Sequence, residues 1–168
     1  MSIFMPTQMF RSVSSITPEY LRKHGIRALI LDVDNTLTGH GSQELSDHVA
    51  QWLDQMKNSG IALAIASNNF EKRVAPFART IGVEHVSFCC KPAPWGLARA
   101  RKKLGVSKNE VALVGDQIFT DAVGANLYGI PVLLCQPLYR DIKPTIRLKR
   151  ILERPLLKHY CKKGGNIL

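Results

Sequence analysis

The feature that most constrains this chain is an alternation. Five short apolar runs, RALILDV (27–33), IALAIA (61–66), HVSFCC (85–90), VALVG (111–115) and PVLLC (131–135), are separated by stretches of helical period. In ELSDHVAQWLDQMKNS (44–59), Leu45, Val49, Trp52, Leu53 and Met56 fall on one helix face, and Gly60 closes it. FEKRVAPFARTIG (70–82, with Pro76 in its middle), PWGLARARKKLG (94–105) and FTDAVGANLYG (119–129) read as three further helices. Strands separated by helices need crossover connections, which predicts an α/β fold: a mainly parallel sheet with helices on both faces. Runs that are apolar throughout agree, because a parallel sheet is buried on both sides. The expected organisation is a single domain over residues 1–168, with 137–168 as a basic C-terminal segment.

Ligands in such sheets bind beyond the carboxyl ends of the strands. The polar residues lie there. The first run ends at Asp32 and Asp34, the second at Ser67, Asn68 and Asn69, the third at Lys91 and the fourth at Asp116. Residues i and i+2 of a strand share a face, so Asp32 and Asp34 are expected to look into one pocket. Crowded carboxylates repel, and a cation or a charged substrate would offset that cost. One carboxylate can attack as a nucleophile while the other donates a proton to a leaving group. With Asp116 nearby, three carboxylates make a hard, oxygen-rich site suited to Mg²⁺. Ser67, backbone N–H groups near Asn68 and the Lys91 ammonium would then face an anionic group, an arrangement suited to phosphoryl transfer. No Walker-type loop or G-x-G-x-x-G fingerprint occurs in the chain.

Charge narrows the partners. The net charge is +10, and residues 137–168 carry nine Lys or Arg against Asp141 and Glu153 alone. That leaves +7 in this segment and +3 in the 136 residues before it, so an anionic partner is expected at the C-terminal end. One reading of PTIRLKRILERPLLKHYCKK is a helix whose apolar face docks on the domain. The other is a basic, partly amphipathic segment resting on anionic lipid, a reading weakened by Pro155, which is expected to break or kink the helix. Nucleic acid is disfavoured, because no recognition motif accompanies the charge. Cys89, Cys90, Cys135 and Cys161 form no C-x-x-C pair and read as reduced thiols. No apolar run reaches the 18 or so residues of a membrane span, and the N-terminus lacks the pattern of a signal peptide. The expected location is the cytoplasm, with peripheral contact at the inner face of the membrane as its extension.

Taken in order, LDVDNTLT, ASNN, KPAPWG and GDQIFTD resemble the four motifs of the haloacid dehalogenase (HAD) phosphatase superfamily, and within it the small YqeG-type, subclass IIIA group. The resemblance covers roughly residues 20–160. It implies a HAD-like Rossmannoid three-layer sandwich and a phosphatase that works through an aspartyl-phosphate. Carried over by position, it makes Asp32 the nucleophile and Asp34 the general acid/base. Ser67, Asn68 and Lys91 become phosphate-binding residues. Asp32, the Asp34 backbone carbonyl and Asp116 become Mg²⁺ ligands, with Asp121 supporting either the metal or Lys91. Asn35 departs from the commoner pattern, in which glycine is frequent; asparagine tolerates the left-handed turn better than most residues.

Little chain separates Asp34 from the helix at 44–59, or Ser67 from Lys91, which leaves no room for a cap domain. An uncapped site admits a large substrate, or a second subunit supplies the lid. Relatives of the YqeG-type group include phosphatidylglycerophosphate phosphatases, so a lipid head group is the leading substrate. The alternatives are a phosphatase of nucleic-acid ends or soluble metabolites, and a non-catalytic protein-binding module.

Overall fold

In the computed structural model, which describes residues 2–141 and 143–168, the alternation becomes a six-stranded sheet with every pairing parallel. The strands are β1 (Gln8–Phe10), β2 (Ala28–Leu31), β3 (Ala62–Ala66), β4 (Glu84–Val86), β5 (Val111–Gly115) and β6 (Val132–Cys135), in the spatial order β1-β6-β5-β2-β3-β4. The helices are α1 (Pro18–Lys23), α2 (Asp47–Asn58), α3 (Glu71–Ile81), α4 (Trp95–Leu104), α5 (Val123–Tyr128) and α6 (Pro144–Lys162). β2, which leads to the paired aspartates, is central and lies between β3 and β5.

The period of two along the strands divides the core into two layers. Leu29, Leu31, Leu63, Ile65 and Val114 face one side and pack with Trp52, Leu53 and Met56 of α2 and Phe77 of α3. Ala28, Ile30, Leu113, Val132 and Leu134 face the other and pack with Leu97 and Ala100 of α4 and Ala125 of α5. Leu156, Leu157 and Tyr160 of α6 close that second layer. The Trp52 indole donates to the Ile16 carbonyl at 2.8 Å, which satisfies its polar edge inside the core. Among the described residues no separate cap domain is present, and no helix is long and apolar enough to cross a membrane.

Four local differences from the sequence expectation have physical causes. β1 is an added edge strand, too short to show a period, that pairs with β6 from far along the chain. The strand expected over 85–90 stops at Val86, because Phe88 and Cys90 take left-handed backbone (φ 49° and 55°). The helix expected from 119 begins as one wide π turn, Ile118–Ala122, before α5. α6 runs unbroken through Pro155: its packing against the second core layer holds the helix where the proline withholds one backbone donor.

Candidate active site

The carboxyl ends of β2, β3, β4 and β5 deliver the polar residues to one rim. Asp32 follows β2 directly, and its N–H still pairs with the Val114 carbonyl at 2.9 Å. Val33 turns back into the core, so Asp32 and Asp34 share the outward side. Ser67 follows β3, and Asp116 follows β5. Lys91 arrives after the irregular stretch beyond β4. Asp32, Asp34, Ser67, Asn68 and Lys91 line one cavity of about 180 Å³, together with His40, Gln117 and Thr120. Lys143, Ile146 and Lys149 of the segment opening α6 also line it. The site therefore has no cap domain but is flanked by the C-terminal helix.

Lys91 is buried and bridges two acids, donating to Asp32 Oδ1 at 2.6 Å and to Asp121 Oδ1 at 2.7 Å. Burial works against its charge, but Asp121 and Asp32 outweigh that and hold the ammonium pKa above its usual range. Asn68 clamps the same residue from its main chain. Its amide nitrogen donates to the Lys91 carbonyl at 2.9 Å, and its amide oxygen accepts from the Lys91 N–H at 2.6 Å. The Asn68 side chain thus holds the Lys91 main chain at both its N–H and its carbonyl. The other Asp121 oxygen accepts from the Gln117 N–H at 3.1 Å, so both its oxygens have protein donors. Asp121 therefore touches Lys91 directly while also standing in the acid cluster with Asp32 and Asp116. The approach also explains Gly115: a Cβ there would lie 2.4 Å from the Asp121 carboxyl carbon.

Asp34 is held by three donors distant from it in sequence or across a loop. Its carboxylate accepts from the Asn69 amide, from Arg73 at 3.2 Å and from the Gly41 N–H at 3.0 Å. In the sequence Asn69 stands only as a residue at a strand end, and Arg73 is one of the cations within the helical stretch 70–82. The departure at Asn35 also acquires a reason. Its φ is +65°, and its side chain is fully buried. The amide nitrogen donates to the Tyr139 carbonyl at 3.0 Å and to Asp141 at 2.9 Å, while its oxygen accepts from the Tyr139 N–H at 2.9 Å. Asp141 in turn lies 2.8 Å from His40 Nε2 and accepts from Arg150 at 2.9 Å. A glycine would permit the turn but would not tether the loop leading to α6.

Asp32, Asp116 and Asp121 each offer a carboxylate oxygen within 4.8 Å of one another, and all three are buried. Burial, only partly offset by Lys91 and reinforced by Asp121, pushes the Asp32 pKa up to about 6. Burial, opposed by Arg150 and reinforced by Asp121 and Asp32, raises Asp116 well above the usual carboxylate range. One oxygen of Asp116 contacts Arg150, whereas Oδ1 is buried without a partner among the described residues. An orphaned carboxylate oxygen facing crowded acids fits a divalent cation, and oxygen ligands of this kind suit Mg²⁺. Asp32 and Asp116 could hold it. Glu153, also buried, fixes α6 beside this centre by accepting from the Ile118 N–H at 2.7 Å and from Arg150 at 3.1 Å.

Residues 40–129, just over half the chain, match the family described as haloacid dehalogenase-like hydrolase. The matched stretch begins after Asp32 and Asp34 and includes Ser67, Lys91, Asp116 and Asp121. The chain is 30% identical to the probable phosphatase YqeG of Bacillus subtilis, over 96% of this chain and 94% of that one. It is 28% identical to the chloroplastic/mitochondrial phosphatidylglycerophosphate phosphatase 1 of Arabidopsis thaliana, over 95% of this chain but about half (49%) of the plant protein. Its fold is similar to that of an uncharacterized protein from Listeria monocytogenes serotype 4b, with a TM-score of 0.57 at 18% identity, over 71% of this chain and 85% of that one.

Proposed function

This chain belongs to the haloacid dehalogenase-like hydrolases and is a phosphomonoester phosphatase, and we propose that its reaction runs through a phosphoryl group carried on Asp32. In the first step an Asp32 carboxylate oxygen attacks phosphorus. The bond to the ester oxygen breaks, and Asp34 gives the departing oxygen a proton. In the second step water attacks phosphorus and passes its proton to Asp34, and the bond to Asp32 breaks to release inorganic phosphate. Ser67, the Asn68 backbone N–H and Lys91 hold the phosphoryl oxygens, and Asp121 positions Lys91. Asn69, Arg73 and the Gly41 N–H keep Asp34 aimed at the cavity. Asp32, Asp116 and the Asp34 carbonyl would hold Mg²⁺, which would supply positive charge against the phosphoryl group.

The observation that best supports this reading is the single cavity onto which two acids, a hydroxyl and an ammonium open from three strand ends. Phosphatidylglycerophosphate is the leading substrate: the plant relative carries that name, and the segment beside the cavity is rich in cations. The accompanying location is the inner face of a membrane, reached from the cytoplasm.

The test is purified protein with Mg²⁺ against phosphatidylglycerophosphate in vesicles, nucleic-acid end phosphates and sugar phosphates. Preference for the lipid is the expected result. Preference for either other class replaces the substrate, and turnover of none favours a binding module.

A further inference from the structure

The catalytic mouth is bordered on one side by aromatic side chains exposed to solvent. On the β3–β4 side, Phe70 precedes α3, Phe88 lies in the loop after β4, and Trp95 opens α4; they are 71%, 57% and 70% exposed. Each sits where a carboxyl-end loop passes into or toward a helix, so all three belong to the rim that carries Ser67 and Lys91. Phe70 and Phe88 stack with ring centroids 5.6 Å apart. On the β5–β6 side, α6 turns Ile146 and Lys149 to the cavity and buries Glu153, while Leu148, Ile151 and Leu152 are exposed on another face of the helix. Lys143 lines the cavity as well. Large aromatic side chains standing in water beside a site mark an interaction surface, since their burial is worth about 1.5–3 kcal/mol each.

We propose that this rim is an interfacial docking face that seats the catalytic mouth on an anionic lipid bilayer, with Phe70, Phe88 and Trp95 entering the headgroup boundary. The inference deepens the phosphatase reading of the mouth and rests on it. Charge favours lipid as the occupant: the +7 segment of residues 137–168 supplies α6 and the loop before it, and basic residues beside apolar anchors suit the anionic interface. Access argues the same way. A protein seated on this rim would close the mouth, whereas a bilayer presents a phosphorylated headgroup to it.

The chain has two tryptophans, and Trp52 is buried, so changes in emission on binding report Trp95. Full-length protein is mixed at low salt with phosphatidylcholine vesicles with and without phosphatidylglycerol. The expected result is a blue shift and quenching by brominated acyl chains with the anionic vesicles only, lost as salt rises. Phe70→Ser/Phe88→Ser should weaken flotation with those vesicles by at least about tenfold, with Mg²⁺-dependent hydrolysis of p-nitrophenyl phosphate unchanged. Absence of quenching, unaltered flotation of the double variant, or burial of Trp95 in a dimer overturns the docking face. If p-nitrophenyl phosphate is still hydrolysed in those cases, the phosphatase reading stands. Vesicle binding without turnover of any phosphoester overturns the phosphatase reading and leaves the docking face.

Discussion

The guanidinium of Arg150 rests against the carboxylate of Asp116, joining the middle of α6 to the end of β5. The same side chain reaches Asp141 at 2.9 Å and Glu153 at 3.1 Å, so one cation serves three acids. Arg150→Met leaves Asp116 and Glu153 buried without that charge. The expected loss in metal-free protein is about 3 kcal/mol. Saturating Mg²⁺ should restore part of it, because a cation that binds only the folded state takes over the charge at Asp116. Thermal unfolding in EDTA and in Mg²⁺ measures both, and equal losses in the two conditions refute the compensation.

Asp32→Asn keeps the size of the side chain and removes its nucleophilic charge. Turnover should fall at least about 10³-fold. Lys91 keeps Asp121, and a repulsive charge leaves a crowded acid cluster, so stability should stay within about 1 kcal/mol of the parent. Steady-state kinetics with a urea titration distinguish the two effects. Retained turnover would remove Asp32 from the nucleophile role.

Gly115→Ala would place a methyl group 2.4 Å from the Asp121 carboxyl carbon. Asp121 must move, and Lys91 loses one of its two carboxylate partners. The expected cost is about 1–3 kcal/mol of stability, with a rise in the inhibition constant of inorganic phosphate because Lys91 is no longer held. Unchanged phosphate inhibition would show that Asp121 does not position Lys91.

Asp141 gives the fold an acid limit. Burial alone would raise its pKa, but hydrogen bonds from His40 and Arg150 hold the carboxyl below the usual range. The folded state therefore binds fewer protons there than the unfolded chain. That contribution is present above the ordinary aspartate range and is lost as pH falls below about 4. Asp141→Asn should lower stability near neutral pH and flatten the acid limb of a urea-midpoint profile. An unchanged slope below pH ~4 would exclude Asp141 as its source.

The rim residues were legible because each chemistry-bearing side chain directly follows an apolar run, where a parallel sheet exposes its strand ends. Asn35 was visible as a departure, but its tether to Tyr139 and Asp141 was not, since the partners lie 104 and 106 residues away. Arg150 and Glu153 were hidden for another reason. In a strongly basic helix, a charge turned inward is written with the same letters as one turned to water. Arg73 was obscured in the same way on α3. β1 offered only three residues and no period, so the sixth strand could not be read.

The route from Asn35 through Asp141 and Arg150 to Asp116 bears on how the protein can be dissected. α6 looks like a removable basic tail, yet it carries the counter-charge for a buried acid at the candidate metal centre. Deleting it to ask whether the tail binds membranes would also disturb the metal site, and the two losses would arrive together. Lipid contact and catalysis have to be separated by single substitutions on exposed positions such as Leu148 or Leu152, with Arg150 and Glu153 left in place.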